Sequence, residues 1–507
     1  MKIRNSRGFF STAVSVLLVL AMALGLCACG AKSQKSDATA ESEEPIHLIW
    51  WVYSGDGNVP KAMDEVLQKA NEYTAEKIGA TVELRFLTDE QFPQAMDSDE
   101  YYDMTFTCAW CNNFDENARA GEYYNITALL KSEAPALYDA VDPWWEIGTL
   151  GERIYGVPML KDLGGEVFFR VNSDYFEGEK GLTLPETMDF AELEPLLALW
   201  KQDHPDEYPL YMPQGGLSGM FQCHERIVGS YLVIPYSKAG TAEGTKIIPI
   251  WDDEEYMGML RCMHRWYELG YINPDAATIM EMLPYSALTP VRSGTAWTGY
   301  KGWSNPDTVG FNVKLIRYIG PNISRATEQG SLIAVNAKAP EENVKACLRY
   351  MELLYTDTPF RDLLAYGIEG KHFDYYEGTV IRTQQGQDEY LVDNFVTGPA
   401  TTATVISASK EILADKDMWK KVFEGYEHAQ KSDTNGFIYN NAFTTAMTAA
   451  LNEVWEKYRP LLVTGTVDPD ETMAEMKQEM EAIGLNTLLR EAQKQMDAYQ
   501  KQLAGEE

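Results

Sequence analysis

An α/β fold divided among two or three packed units is what this 507-residue chain predicts. The chain is longer than one hydrophobic core usually serves. From Ile46 to Thr107, strand-like and helix-like patterns alternate in the order that builds a mostly parallel sheet with helices on both faces. From Lys410 through Tyr499 the pattern is largely helical, broken at Gly436, Gly465 and Gly484.

The elements follow in order. Ile46-His-Leu-Ile-Trp-Trp-Val-Tyr53 is an apolar run short enough for a buried strand, and Ser54-Gly-Asp-Gly-Asn58 reads as the turn that ends it. A helical period over Pro60–Ile78 precedes a strand at Thr81–Leu87 and another at Met104–Thr107. Ligands of such sheets bind beyond the carboxyl ends of the strands, which places Tyr53 to Asn58 and Cys108 to Asn113 on one rim. A second block starts with strand-like runs at Ile154 and Glu166, a helix at Phe190–Lys201 and another at Glu255–Leu269. Strands at Thr295–Thr298 and Lys314–Tyr318 and a helix at Glu341–Leu354 complete it. No internal repeat of fixed period occurs.

Hydrophobic residues make up 45% and charged residues 23%, a composition that excludes a disordered chain. With 43 Lys and Arg against 76 Asp and Glu, the formal charge of −33 repels phosphate backbones, so nucleic acid is not an expected partner. The acidity reads as solvation and names no ligand.

Lys2, Arg4 and Arg7 precede an apolar run from Phe9 to Leu26, the layout of a signal peptide over residues 1–28. The run ends in Leu26-Cys27-Ala28-Cys29-Gly30, which resembles a bacterial lipobox. The small Ala28 before Cys29 makes Cys29 the lipidated residue, and residues 29–45, polar and without apolar period, read as the lipidated cysteine and a flexible tether. A retained membrane-spanning anchor, or secretion after cleavage elsewhere, are the other readings.

Searches for chemistry are mostly empty: H-E-x-x-H, G-x-S-x-G and the phosphate-binding G-x-x-x-x-G-K-[ST] are absent, so no catalytic residue is assigned. Gly55-Asp-Gly57 could start a dinucleotide fingerprint, but Pro60 stands where its third glycine belongs, and no cofactor is expected. Cys108-Ala-Trp-Cys111 is formally C-x-x-C; ordinary loop thiols are the simplest reading, and a structural disulfide or a redox pair the others. Cys223-His224 and Cys262-Met-His264 match no standard zinc spacing and read as core cysteines beside polar histidines, so no metal is assigned.

Aromatic residues gather at strand ends: Trp50, Trp51 and Tyr53 on the first strand, Trp110 after the third, and Trp297, Tyr300 and Trp303 around Gly299 and Gly302. Sugar rings offer apolar faces that stack on such rings, while their hydroxyls need amides, carboxylates and cations. Asp56, Asn112, Asn113, Lys161 and Glu166 supply these nearby. Trp50 and Trp51 point to opposite faces of their strand, so about half of the rings belong to the core.

Several runs together resemble an extracellular solute-binding protein of a bacterial ABC importer, in the maltose-binding-protein-like fold group. Ile49-Trp-Trp-Val-Tyr, Tyr102-Asp-Met-Thr-Phe-Thr with Trp110-x-Asn-Asn, and Ile154-Tyr-Gly-Val-Pro resemble its first lobe. Gly270-Tyr-Ile-Asn-Pro-Asp275 and Gly294-Thr-Ala-Trp-Thr-Gly-Tyr300 resemble its second. Tyr366-Gly-Ile-Glu-Gly-Lys-His372 and the tail from Gly484 resemble the subgroup with a DUF3502-type C-terminal region. The resemblance implies a two-lobed, type II periplasmic-binding-protein fold with hinge crossovers near 163–167, 327–331 and 383–388. Lobe 1 would comprise residues 46–165 and 330–385, lobe 2 residues 166–329, and a helical region, 386–507, would lie mostly with lobe 2. It implies a ligand held between the lobes and presented to permease subunits without chemistry on it; with the lipobox, the expected protein is a monomer lipid-anchored on the extracytoplasmic face of the membrane. The residue types at the strand ends make a carbohydrate the expected ligand and Tyr53, Asp56, Trp110, Asn112, Asn113, Lys161, Glu166, Tyr300 and Trp303 its expected contacts. Trp303 resembles the second-lobe tryptophan that stacks on sugar in that group. Where the subgroup has small hydroxyl residues near Trp110, this chain has Cys108 and Cys111. His372 reads as a loop-fixing hydrogen bonder before a switch. A receptor for peptides or other polar solutes and a surface glycosidase with a carboxylate pair are the alternative functions.

Overall fold

In the computed structural model, residues 44–217, 219, 222–280, 291–295, 311–393, 396–410 and 413–505 are described, with 291–295 by backbone alone. The first part of the chain gives β1 (Ile46–Tyr53), α1 (Met63–Ile78), β2 (Ala80–Leu87), β3 (Met104–Thr107), α2 (Phe114–Ala120) and β4 (Gly156–Pro158). Next come β5 (Gly165–Asn172), α3 (Glu254–Glu268), β6 (Val291–Thr295) and β7 (Val313–Ile323). After α4 (Arg325–Glu328) follow β8 (Leu332–Val335), α5 (Glu341–Thr356), α6 (Thr358–Tyr366) and α7 (Gln384–Glu389). The chain ends with α8 (Met418–Gly425), β9 (Gln430–Lys431), α9 (Thr445–Val463), α10 (Pro469–Ile483) and α11 (Leu485–Leu503).

Lobe 1 is built on a five-stranded sheet in the order β2-β1-β3-β8-β4. The all-apolar stretches of β1 demand cover on both faces. Trp50 packs edge-on against Tyr350 of α5, and Trp51 lies against Tyr102, both indoles fully buried. β1 runs parallel to β2 and β3, whereas β8 is antiparallel to β3 and β4. The sheet is therefore mixed rather than mostly parallel, because β8 enters from the other lobe instead of over a covering helix.

Lobe 2 carries a second sheet, β6-β5-β7-β9, antiparallel except at β9. In β6, Val291 to Thr295 pair with Val171 to Val167; of the strand expected at Thr295–Thr298, residues 296–298 lie outside the described residues. Val167, Phe169 and Val171 of β5 share a core with Trp266 of α3 and with Trp455, Met476, Leu488 and Met496 of the last three helices. Burying those side chains at roughly 1.5–3 kcal/mol each is what holds the C-terminal helices on lobe 2.

Three chain passages join the lobes side by side. The first runs between β4 and β5 and the second between β7 and β8. The third does not lie at 383–388. Tyr390, just after α7, is buried with Ala62, Met63 and Val66 of lobe 1, and Val422 and Tyr426 belong to the lobe 1 core. The chain enters the lobe 2 sheet only at β9, paired with Asn322 and Ile323. Leu163 N donates to Tyr426 Oη at 2.9 Å, binding the first passage to the third. No helix among the described residues is long and apolar enough to cross a membrane.

Candidate functional site

At the carboxyl end of β1, the Tyr53 ring stacks on Phe106 of β3 with centroids 5.6 Å apart and meets Trp110 edge-on at 4.8 Å. Burial, then the Asp89 carboxylate, push the Tyr53 hydroxyl up to about 12. It stays a neutral donor. The loop after it closes on Asp56, whose carboxylate accepts from Asn58 N at 3.0 Å, Asn58 Nδ2 at 2.7 Å and Ser54 Oγ at 3.1 Å. Such local bonding is what Asp does in turns. The Asn58 bonds hold this exposed carboxyl below its usual value.

The loop after β3 is tied at both ends: Cys108 N donates to Cys111 O at 3.2 Å, and Phe114 N to Cys108 O at 3.0 Å. Asn112 takes a left-handed φ of 49°, which Asn tolerates better than most residues. Its amide donates to Phe106 O at 2.7 Å and accepts from Asn117 Nδ2 at 2.8 Å. Asn113 caps α2, accepting from Glu116 N at 3.0 Å. Both amides thus hold the loop. What the loop presents outward is Trp110, 49% exposed, whose Nε1 donates to Gly330 O on the second crossover at 3.0 Å.

Lys161, on the first crossover, pairs with Asp162 at 3.0 Å. It lies so close to Gly330 that a Cβ there would come within 3.1 Å of its Nζ. Trp110, Lys161 and Gly330 therefore meet where the lobes join. Glu166 stands apart, buried in β5 and accepting from Arg317 of β7 at 2.9 Å. Burial pushes its carboxyl up and Arg317 opposes this. Tyr300, Trp303 and Cys29 lie outside the described residues.

Beside the rim runs a cleft of about 1000 Å³, with Tyr53, Asp56 and Val59 on one wall and Arg382, Leu391 and Asp393 on the other. Sequence reasoning missed that second wall. Its signal was Tyr390-Leu391-Val392, an apolar triplet set among Asp388, Glu389 and Asp393, with Leu391 left 57% exposed. The wall is steadied by His372, whose Nδ1 accepts from Ile368 N at 3.0 Å and whose ring stacks on Tyr390. Burial, then Lys371, lower the His372 pKa.

Elsewhere, Cys223, His224 and Asp253 bring potential metal-ligating atoms within 4.8 Å of one another. His224 Nε2 and Asp253 Oδ2 are 2.6 Å apart, a buried pair. Cys223 Sγ is 3.1 Å from Nδ1 and 3.9 Å from Nε2, off the in-plane lone pair of either nitrogen.

Residues 433–501 match the family model described as a domain of unknown function, DUF3502. A carbohydrate ABC transporter substrate-binding protein of Streptococcus pneumoniae serotype 4 is 27% identical over 501 residues, covering 97% of this chain and 98% of that protein. The N-glycan transport solute-binding protein NgtS of S. pneumoniae superposes with a TM-score of 0.77 at 22% identity, over 90% of this chain and 99% of its own. NgtS has also been crystallised with Man5GlcNAc, and that structure aligns with a TM-score of 0.64 at 23% identity, over the same shares of the two chains. An extracellular solute-binding protein of Bifidobacterium longum subsp. infantis aligns with a TM-score of 0.61 at 17% identity, over 91% of this chain and all of that one. The fold is that of two-lobed, type II solute-binding proteins.

Proposed function

We propose that this protein is a solute-binding protein of an ABC importer that captures an oligosaccharide at the lobe 1 rim and delivers it to permease subunits, a reading its two-lobed fold and its 27% identity to a carbohydrate ABC transporter substrate-binding protein support. The observation that carries this reading is Trp110: a half-exposed indole, fixed by the Gly330 carbonyl and by Tyr53, which itself lines the neighbouring cleft. An exposed ring held in one orientation is a stacking platform for an apolar sugar face. Asp56, Arg382 and Asp393 line the cleft beside it as hydroxyl partners.

Because Trp110 is bonded to the second crossover, ligand that rests on the ring also meets the hinge. Sugar that touches both lobes only when they close shifts the hinge equilibrium by its differential affinity. Closure is then the signal that the permease reads. The protein works as a monomer, held to the extracytoplasmic membrane face by lipid on Cys29 and standing off on residues 30–45, and it leaves the sugar intact. The N-glycan oligosaccharides named for NgtS are the first ligands to try.

A thermal-shift screen of residues 30–507 against mannose-containing oligosaccharides, other oligosaccharides and short peptides tests this. A ligand at 100 times its dissociation constant adds about 2.7 kcal/mol. Stabilisation by an intact oligosaccharide supports the reading. Stabilisation by peptides alone, or release of sugar products, overturns it.

A further inference from the structure

The proposed function uses the ring of Trp110 but not the two cysteines of its loop. Cys108 and Cys111 are buried and free. The bond from Cys108 N to Cys111 O joins their backbones at 3.2 Å. An N···O contact of 3.2 Å holds the two Cα atoms within about 7 Å of each other, where a disulfide spanning roughly 4.4–6.8 Å can close. The sulfur is already placed: Cys108 Sγ accepts from Cys111 N at 3.0 Å and donates to Cys111 O at 2.8 Å. It therefore lies against the backbone that carries the Cys111 side chain.

We propose that Cys108 and Cys111 are joined by a disulfide as the chain folds outside the cytoplasm, and that this bond sets the pose of Trp110 at the ligand rim. The second half rests on the proposed function; the bond itself does not. It forms by exchange with a low-molecular-weight disulfide. One cysteine, as its thiolate, attacks a sulfur of that molecule and releases a small thiol. The other cysteine then attacks the mixed disulfide and releases a second. Two protein thiols become one disulfide, one small disulfide becomes two thiols, and the two cysteine protons end on the released thiols.

A catalytic redox pair would present a low-pKa thiolate at a helix N-terminus. Here the helix begins later, at Phe114 with Asn113 as its cap. The hydrogen bond with Cys108, then burial, push the Cys111 thiol up instead. Exchange therefore belongs to the folding chain, and the bond, once buried, persists. In the dithiol the Cys108 S–H is spent on the Cys111 carbonyl. Bond formation removes that donor and draws the two Cβ atoms together beneath Trp110. Its edge contact with Tyr53 and its bond to Gly330 both register the change.

The test uses residues 30–507, which carry five cysteines. Protein refolded in mixed oxidised and reduced glutathione is denatured, labelled with a maleimide and mapped by peptide mass. The expected result is three labels on the oxidised protein and five after reduction, with the peptide holding Cys108 and Cys111 lighter by two hydrogens. Five labels in both states, or a link to Cys223, Cys262 or Cys347, overturns the disulfide. Man5GlcNAc binding is then compared between the two redox states and in a variant carrying Cys108→Ser and Cys111→Ser. A several-fold redox difference in the wild type, absent from the variant, supports the coupling, and equal affinities overturn it. If the bond forms but no oligosaccharide binds in either state, the coupling falls with the proposed function and the disulfide stands.

Discussion

The indole Nε1 of Trp110 donates to the carbonyl oxygen of Gly330 at 3.0 Å, so the exposed ring of the lobe 1 rim is bonded to the second lobe crossover. Trp110→Ala removes both the stacking face and that bond. We expect binding of the screened oligosaccharide to weaken by about 1–3 kcal/mol. The melting temperature of the free protein should fall little, since half of the ring faces solvent. Trp110→Phe keeps a face but no N–H and should fall between. Calorimetric titration of the three proteins checks this. Lost stability with unchanged affinity would make the ring structural.

Arg325, the first residue of α4, forks onto the buried carboxylate of Asp115 with two bonds of 2.8 Å and also donates to Thr149 O at 3.0 Å. This anchors the second crossover to lobe 1. Arg325→Ala leaves the buried Asp115 without its counter-charge, with only the Gln329 amide still donating to it, a loss of about 3–5 kcal/mol that urea unfolding would detect. Burial alone would raise the Asp115 pKa, but the Arg325 bond and charge outweigh it and hold the carboxyl below its usual value. Its contribution is therefore present above the unfolded-state pKa and lost as pH falls through the folded one. The acid-side loss of stability should be shallower in the variant.

Glu328, at the other end of α4, behaves oppositely. Burial, then the Glu146 carboxylate, push it up to about 7. A carboxyl raised on folding favours the native state while protonated, and that contribution is lost as pH rises from about 4.5 to about 7. Glu328→Gln should raise the melting temperature above about pH 7 and change it little below about pH 4.5. A thermal melt series across that window checks the sign.

Asn113 accepts from Glu116 N as the cap of α2, and removing a cap costs about 1 kcal/mol. Asn113→Ala should lose that much in chemical denaturation. Asn113→Asp should restore it, because the aspartate oxygen caps equally well.

Much of lobe 1 was legible. Met104–Thr107 is a strand as its apolar run predicts, and Trp50 and Trp51 are both core, as opposite faces of a doubly covered strand require. The rim was legible because a sheet of this order places strand exits together. What side chains do on a rim was not. Asn112 and Asn113 look like sugar partners by type, yet their amides serve the loop, and only the hydrogen-bond network reveals it. Glu166 has the right chemistry, but its carboxylate is taken up by Arg317, which lies 151 residues further along the chain. The third lobe passage was misplaced because segment 384–428 has no pattern that distinguishes the core of lobe 1 from that of lobe 2. Tyr390 and Tyr426 decide it by where they pack.

The most direct measurement of the central claim is calorimetric titration of residues 30–507 with Man5GlcNAc and a panel of other intact oligosaccharides, with mass analysis of the sugar afterwards. The account predicts saturable binding of at least one of them, weakened in Trp110→Ala, with the sugar recovered unchanged. Binding that is indifferent to Trp110, absence of binding across the panel, or a cleaved sugar would contradict it.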